Sequence, residues 1–344
     1  MVQHGIIGCG RVAPNHVDGF RAAGRYDVGW ACDRDARVLR DFALAHGIAR
    51  TTERVEEMLN DPEVVSVSVA LDHAQHAAVT EQALLAGKHV ICEKPLALTM
   101  ADAGRLVALA AGRNLVLSVI SQHRYDPLVL AVRGWLRDGL LGSILYAQVS
   151  LAARREADYY RDSYWRGTWS GEGGSALVNQ GYHVLDVTRF LLGELSVQAA
   201  VARTAVLDSV METDDSFSAL LTAGSLPVTL NITVAAMTVW RTRIELVGTH
   251  GCVEFDLDHP GTLHRVEGGL ELLKAAQYVR ERPEEPPPPG VGYFGISHRR
   301  QIAAFVRAAM DGRPREDPQV GLGMVRLLGE LYSATTFGDR RPRS

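Results

Sequence analysis

The sequence predicts a two-domain α/β protein in which a doubly wound parallel sheet precedes an antiparallel or mixed sheet. Three observations point there. A chain of 344 residues suits two domains at about 150 residues each. Over residues 1–120 short apolar runs alternate with amphipathic stretches, the pattern of a parallel sheet covered on both faces. Beyond residue 120 apolar runs follow one another without intervening helices.

In chain order, apolar segments end at Gly8 and recur at 27–32, 64–70, 89–92 and 115–119, with helical patterns at 12–23, 36–46, 75–86 and 100–111. The run Val64 to Ala70 is β-branched at alternate positions and reads as a buried strand. Strands are then expected at 144–151, 216–221, 228–234 and 243–247, interrupted by one long helix over 175–192. The proline-rich stretch 282–290 cannot enter a sheet interior. Two helices, 296–310 and 320–336, close the chain. The domain boundary falls near residue 120, just before Tyr125-Asp126-Pro127.

Composition excludes several classes. Hydrophobic residues are 47% and charged residues 22%, and the 36 Lys and Arg against 40 Asp and Glu give a net charge of −4. A nucleic-acid binder needs a basic excess or stripe. No apolar run reaches the roughly 18 residues of a membrane helix, and Met1 to Gly10 lacks the form of a signal peptide. Cys9, Cys32, Cys92 and Cys252 form no C-x-x-C pair, which argues against zinc or a redox dithiol and for a reducing cytoplasm. No metal is expected.

Gly8-Cys9-Gly10-Arg11-Val12-Ala13 is G-x-G-x-x-A between a strand and a helix. The first glycine permits the turn, the second lets backbone approach a pyrophosphate, and the helix N-terminus offers N–H groups to it. Asp33, at the end of the next strand, is placed to accept hydrogen bonds from an adenosine ribose. Its carboxylate repels a 2′-phosphate, favouring NAD, while Arg34 keeps NADP as the alternative. Glu93-Lys94-Pro95 ends a strand where open parallel sheets bind ligands, and Lys94 there can favour a substrate oxyanion. On the helix over 175–192, Asn179 and His183 are four apart and His183 and Asp186 three apart, so three polar groups share an apolar helix. Histidine is suited to moving a proton near pH 7.

Taken in order, the glycine loop, Asp33, Gly87-Lys88-His89-Val90-Ile91-Cys92-Glu93-Lys94-Pro95 and the helix G-G-x-x-x-x-N-Q-G-x-H-x-x-D resemble the Gfo/Idh/MocA family of nicotinamide-dependent oxidoreductases. The segments 121–127 and 298–311 extend the resemblance over nearly the whole chain. It implies a Rossmann domain over 1–120 and, over 121–344, a substrate-binding and oligomerisation domain with a large open mixed sheet and closing helices within 296–336. It also implies oxidation or reduction of a secondary alcohol or ketone on a sugar, nucleotide sugar or cyclitol. His183 then acts as acid/base, Lys94 stabilises the oxyanion and Asn179, standing where many members have aspartate, positions the substrate. Cofactor contacts fall to Gly8, Gly10, Arg11, Val12, Asp33, Arg34, Leu71, His76, Glu93 and Lys94. Leu71-Asp72-His73 departs from the usual Thr-Pro-Asn, with His76 still matching. Substrate contacts fall to Lys94, Arg124, Arg154, Tyr160, Trp165, Asn179 and His183, since aromatic faces pack on sugar rings and arginines clamp carboxylates or phosphates. The expected partners are a sugar-like small molecule and a second copy in a homodimer or homotetramer through the open sheet, with neither nucleic acid nor membrane. Two other functions compete: a glycosidase using transient oxidation by NAD, and a non-catalytic NAD-responsive binding protein.

Overall fold

The computed structural model describes residues 2–258, 261–282, 295–311 and 318–335. They divide into two compact units: residues 1–122 with 287–325, and 123–286 with 326–344. The first break lies close to the expected boundary. The C-terminal part divides differently from expectation: residues 287–325 count with the first unit, not the second.

The first unit alternates β1 (Val2–Ile7), α1 (Ala13–Ala23), β2 (Tyr26–Cys32), α2 (Ala36–His46), β3 (Arg50–Thr52), α3 (Val55–Leu59), β4 (Val64–Val69), α4 (His73–Leu85), β5 (His89–Cys92), α5 (Met100–Gly112) and β6 (Leu117–Val119). All pairings are parallel, in the order β3-β2-β1-β4-β5-β6, the strand order of a Rossmann sheet. Local chemistry starts the helices. The Asp35 carboxylate accepts the N–H groups of Arg37 and Val38 at the head of α2, and the Thr99 hydroxyl accepts that of Asp102 at the head of α5.

The second unit contains α6 (Pro127–Arg137), β7 (Ile144–Arg154), α7 (Ala157–Arg161), a π-helical turn (Ala176–Gly181), α8 (Tyr182–Leu192), β8 (Ser196–Arg203), β9 (Ser216–Ala223), β10 (Leu226–Thr233), β11 (Ala235–Gly248), β12 (Gly251–Phe255), β13 (Leu263–Gly268) and α9 (Leu270–Arg280). Its seven strands run in the order β13-β12-β11-β7-β10-β9-β8. The sheet is mixed because β10 pairs parallel to β7 while β11 pairs antiparallel to it. One face is apolar and buried through Ala147, Val149, Leu151, Val228, Leu230, Ile232, Ile244 and Leu246, two residues apart along each strand as pleating requires. The long helix expected over 175–192 is two structures, the π-turn and α8. The proline-rich stretch lies, apart from Arg282, outside the described residues.

Two more helices, α10 (Gly295–Asp311) and α11 (Gln319–Ser333), match the expected closing helices closely. Residues of α11 through Val325 count with the first unit and those from Arg326 with the second. The reason for the different division is apolar. Ile302, Phe305 and Val306 are fully buried in one cluster with Val17 and Phe20 of α1, and the Phe20 and Phe305 rings meet edge to face at 5.9 Å. Arg299 adds a two-pronged ion pair to Asp18. Phe305→Ala is therefore expected to cost about 3–5 kcal/mol, the range for emptying a buried aromatic site. Denaturant unfolding that follows NAD binding as well as circular dichroism checks this, and a variant that keeps the parent's midpoint would remove α10 from the first unit's core.

Candidate active site

The glycine loop has the form its sequence predicts. Gly8 adopts φ +91°, and a Cβ there would stand 2.4 Å from the Ala70 carbonyl oxygen. A Cβ at Gly10, by contrast, would meet no protein atom within 4 Å. Its bareness serves no packing within the chain, and fits the approach of a ligand. The N-terminus of α1 has neither a side-chain cap nor an acidic first turn, which suits an incoming anion. Asp33 is held in place: one carboxylate oxygen accepts the Cys9 N–H at 2.8 Å and the other the Asp35 N–H at 2.9 Å. Arg11, Val12 and Arg34 are at least partly exposed around this loop. These residues fit a dinucleotide.

At the carboxyl end of β5, Lys94 is half-buried and the Lys94–Pro95 bond is cis. Glu93 is almost wholly buried. Its Oε1 accepts from His16 Nε2 and His298 Nε2, each at 3.1 Å, and Oε2 lies 3.3 Å from the Lys94 N–H. Burial alone would raise the Glu93 carboxyl, but the two imidazoles hold it well below its ordinary range. Burial in turn lowers His16. Ligand atoms of His16, Glu93 and His298 lie within 4.8 Å of one another, close enough for a divalent cation, and the two hydrogen bonds account for that spacing. His16 Nδ1 continues to Ser68 Oγ at 2.9 Å, and from there to His4 at 2.9 Å. Glu93, expected among the cofactor contacts, is thus directed into a buried polar chain behind Lys94.

His76 is also fully buried. Its Nδ1 faces the Pro95 carbonyl at 2.7 Å and its Nε2 the Leu71 carbonyl at 3.0 Å. Only the imidazolium carries two N–H donors. Burial opposes that cation, yet Cys92 and the two carbonyls outweigh it and raise His76 from 6.5 to about 9. The side chain ties the turn after β4 to the turn after β5.

In the second unit His183 lies in the first turn of α8, directly after the π-turn. Asp214 caps that turn, accepting the N–H groups of Ser175 and Leu177 at 3.0 Å each, and the Tyr332 hydroxyl at 2.7 Å. Gly174, at φ +132°, lets the Tyr332 hydroxyl in: a Cβ there would lie 2.1 Å from it. The buried Glu172 carboxyl, raised by its burial, accepts from the Gly167 N–H at 2.7 Å, from Ser175 Oγ, and from the Asn179 amide at 2.5 Å. His183 is half-exposed between buried neighbours on both sides. Its ring packs edge to face on His123 at 5.1 Å, and His123 Nδ1 is 2.7 Å from the Asp126 carboxylate.

The three polar groups of this helix therefore face different partners. Asn179 turns to Glu172, His183 to His123, and Asp186 to Arg124, whose Nε donates to Asp186 Oδ2 at 2.8 Å as one prong of a fork. Arg124, expected to meet substrate, is tied to α8 through Asp186. Arg154 pairs with Glu156 on the exposed surface. Tyr160 is 3% exposed, a packing residue rather than an offered one. Trp165 is half-buried, with Arg166 over its ring. His123, Glu172 and Asp214 were missed. His123 and Asp126, three apart at a turn, carried a readable signal, and so did Glu172, whose partners lie three to seven residues away; Asp214 carried none, since its partners lie elsewhere in the chain.

Comparison with known proteins decides the family. Residues 2–121 match the model described as "Oxidoreductase family, NAD-binding Rossmann fold", and residues 129–254 match the GFO/IDH/MocA C-terminal domain. The chain belongs to the Gfo/Idh/MocA oxidoreductase family. Inositol 2-dehydrogenase 2 of Saccharopolyspora erythraea is 30% identical over 325 residues, 90% of this chain and 86% of the relative. D-apiose dehydrogenase of Paraburkholderia graminis is 29% identical over 274 residues, covering 76% and 70%. The WlbA dehydrogenase from Bordetella pertussis, solved with NADH and UDP-GlcNAcA, shares the fold at TM-score 0.83 and 22% identity over 97% of this chain and 95% of that one. Residues 2–121 of the first unit are thus the family's NAD-binding domain, and residues 129–254 of the second its C-terminal domain.

The His76 brace has a measurable pH signature. Its ordinary value is 6.5 and its folded value is raised to about 9. The stabilisation is therefore complete below about pH 6.5 and is lost as pH rises through 9. His76→Gln should lack that component, so the stability difference between parent and variant should narrow from pH 6.5 to 9. A difference that stays constant in urea melts across this range would show that His76 is neutral in the folded protein.

Proposed function

We propose that this protein is an NAD-dependent dehydrogenase or reductase of a secondary alcohol or ketone on a sugar, nucleotide sugar or cyclitol. The observation that carries the reading is His183, left half-exposed between buried neighbours on a helix whose start is capped and pinned by Asp214 and Glu172. Nicotinamide, when bound, supplies the carbon that accepts or returns a hydride. In the oxidising direction His183 takes the hydroxyl proton as the C–H bond breaks and the carbonyl forms. Lys94 donates hydrogen bonds to the oxygen as negative charge develops on it. Asn179, oriented by Glu172, holds a neighbouring hydroxyl. Asparagine can orient but carries no charge, so the proton falls to His183.

Dehydrogenases of inositol and D-apiose among the relatives support the substrate class. Asp33, fixed by two backbone N–H groups, supports NAD over NADP. The exposed Val201 and Leu220 support assembly through the open sheet: Leu220 pairs with Ala199, which places it on the same face as Val201. Four unpaired cysteines support a cytoplasmic setting.

The test is NAD reduction over sugars, nucleotide sugars, sugar acids, sugar phosphates and inositols. His183→Ala and Lys94→Ala should each lose about 10²–10⁴-fold in turnover while still binding NAD. Retained turnover in either would remove that residue from the mechanism. In the same assay Asp33→Ser should narrow the preference for NAD over NADP; tighter NADP binding to the parent would overturn the cofactor assignment.

A further inference from the structure

Two arginines beside the Asn179–His183 helix stand apart from their neighbours. On the same stretch of chain Arg154 pairs with Glu156 and Arg161 with Asp158, both at the exposed surface. Arg155 and Arg166 are half-buried, and among the described residues neither guanidinium is paired with a carboxylate; the Nε of each is buried with no hydrogen-bond partner. Both are held on one ring. The Arg155 guanidinium carbon lies 5.2 Å from the Tyr159 ring centre, and that of Arg166 4.3 Å. Trp240 backs Arg155 at 5.3 Å. Arg155 Nη2 donates to Gln180 Oε1 at 3.1 Å, and Gln180 Nε2 lies 3.3 Å from the Tyr159 hydroxyl.

Like charges gathered on one aromatic ring repel, and withdrawing them from water without a counter-charge is costly. Aromatic faces offset part of that cost. The remainder calls for an anion, and no carboxylate among the described residues is paired there. Gln180 ties Arg155 to the π-turn, next to Asn179 and three residues before His183. The anion therefore belongs to the molecule on which His183 acts.

We propose that Arg155 and Arg166 form an anion subsite, so that the substrate is a sugar or cyclitol bearing a carboxylate or a phosphate. This rests on the oxidoreductase reading above and narrows it. Forked N–H groups suit the oxygens of either anion, and Gln180 links the subsite to the reacting end of the site. Arg154, the arginine that sequence alone favours, is excluded from this role by its partner Glu156.

Matched substrates test it on the NAD-loaded enzyme: glucose, glucuronate and glucose 6-phosphate, with the galactose and inositol counterparts. At least one anionic member should exceed its neutral parent in kcat/KM by about 10-fold or more, and the carboxylate and phosphate arms show which anion is taken. Added salt should weaken that substrate's KM and leave the neutral parent's unchanged. Arg155→Gln and Arg166→Gln should each lower the ratio of anionic to neutral kcat/KM by about 10–100-fold, chiefly through KM, and Arg155→Lys should restore part of it. Neutral parents that outperform their anions in the unaltered enzyme would overturn the subsite, as would folded variants that keep the parent's ratio. If none of these compounds is oxidised, the oxidoreductase reading fails on its own terms, and the subsite is then judged by tryptophan fluorescence. Saturable quenching by glucuronate or glucose 6-phosphate that Arg166→Gln abolishes supports it; no quenching by either overturns it.

Discussion

A carboxylate removed from water must be given donors, and this chain buries several. Glu93 is the decisive one in the first unit. It sits just past the end of β5, almost wholly buried, and two imidazoles from different helices converge on one of its oxygens. Without them the anion would cost several kcal/mol. The requirement adds a polar tie to the apolar packing that holds α10 against α1, far apart in sequence. It also leaves the backbone at Glu93–Lys94 with little freedom. Lys94, proposed above to meet the substrate oxygen, is thus mounted on a rigid base.

The second unit solves the same problem with backbone amides. Asp214 is satisfied by the start of the π-turn, and one oxygen of Asp215 by three successive N–H groups at Ala205, Val206 and Leu207. Glu172 is satisfied by a glycine N–H, a serine and Asn179. Asp214 and Glu172 organise the segment that precedes His183, and Asp215 the turn after β8. The extra residue per turn of a π-helix is unfavourable on its own, and these caps hold it. In both units the placement of a proposed reactive side chain is set one layer behind it, by buried acids and their donors.

What was legible in the sequence was local. The glycine loop, the β-branched strand at 64–69 and the amphipathic helices follow from spacing within a few residues. So do Lys94 and His183, each set in a motif. What was not legible depends on partners distant in the chain. Glu93 read as a cofactor contact because its motif says nothing of His298, 205 positions away. Arg124 read as a substrate contact because Asp186 is 62 positions away. The polar spacing of Asn179, His183 and Asp186 suggested one cluster, yet a helix that changes pitch at Gly181 sends them to three different partners. The same limit moved α10: its amphipathic pattern shows that one face is buried, not against what.

The placement of α10 also bears on how the protein is made. Asp18 and Arg299 are 281 positions apart, and the apolar face of α1 needs Ile302 and Phe305 to be covered. On a ribosome that adds about 5–20 residues per second, the nucleotide-binding half emerges first and waits many seconds for its last helix. Through that interval Phe20 and its neighbours face the cytosol or a chaperone. Truncated chains that end before α10 should accordingly be sticky rather than inert, and the N-terminal domain is complete only once α10 has been made.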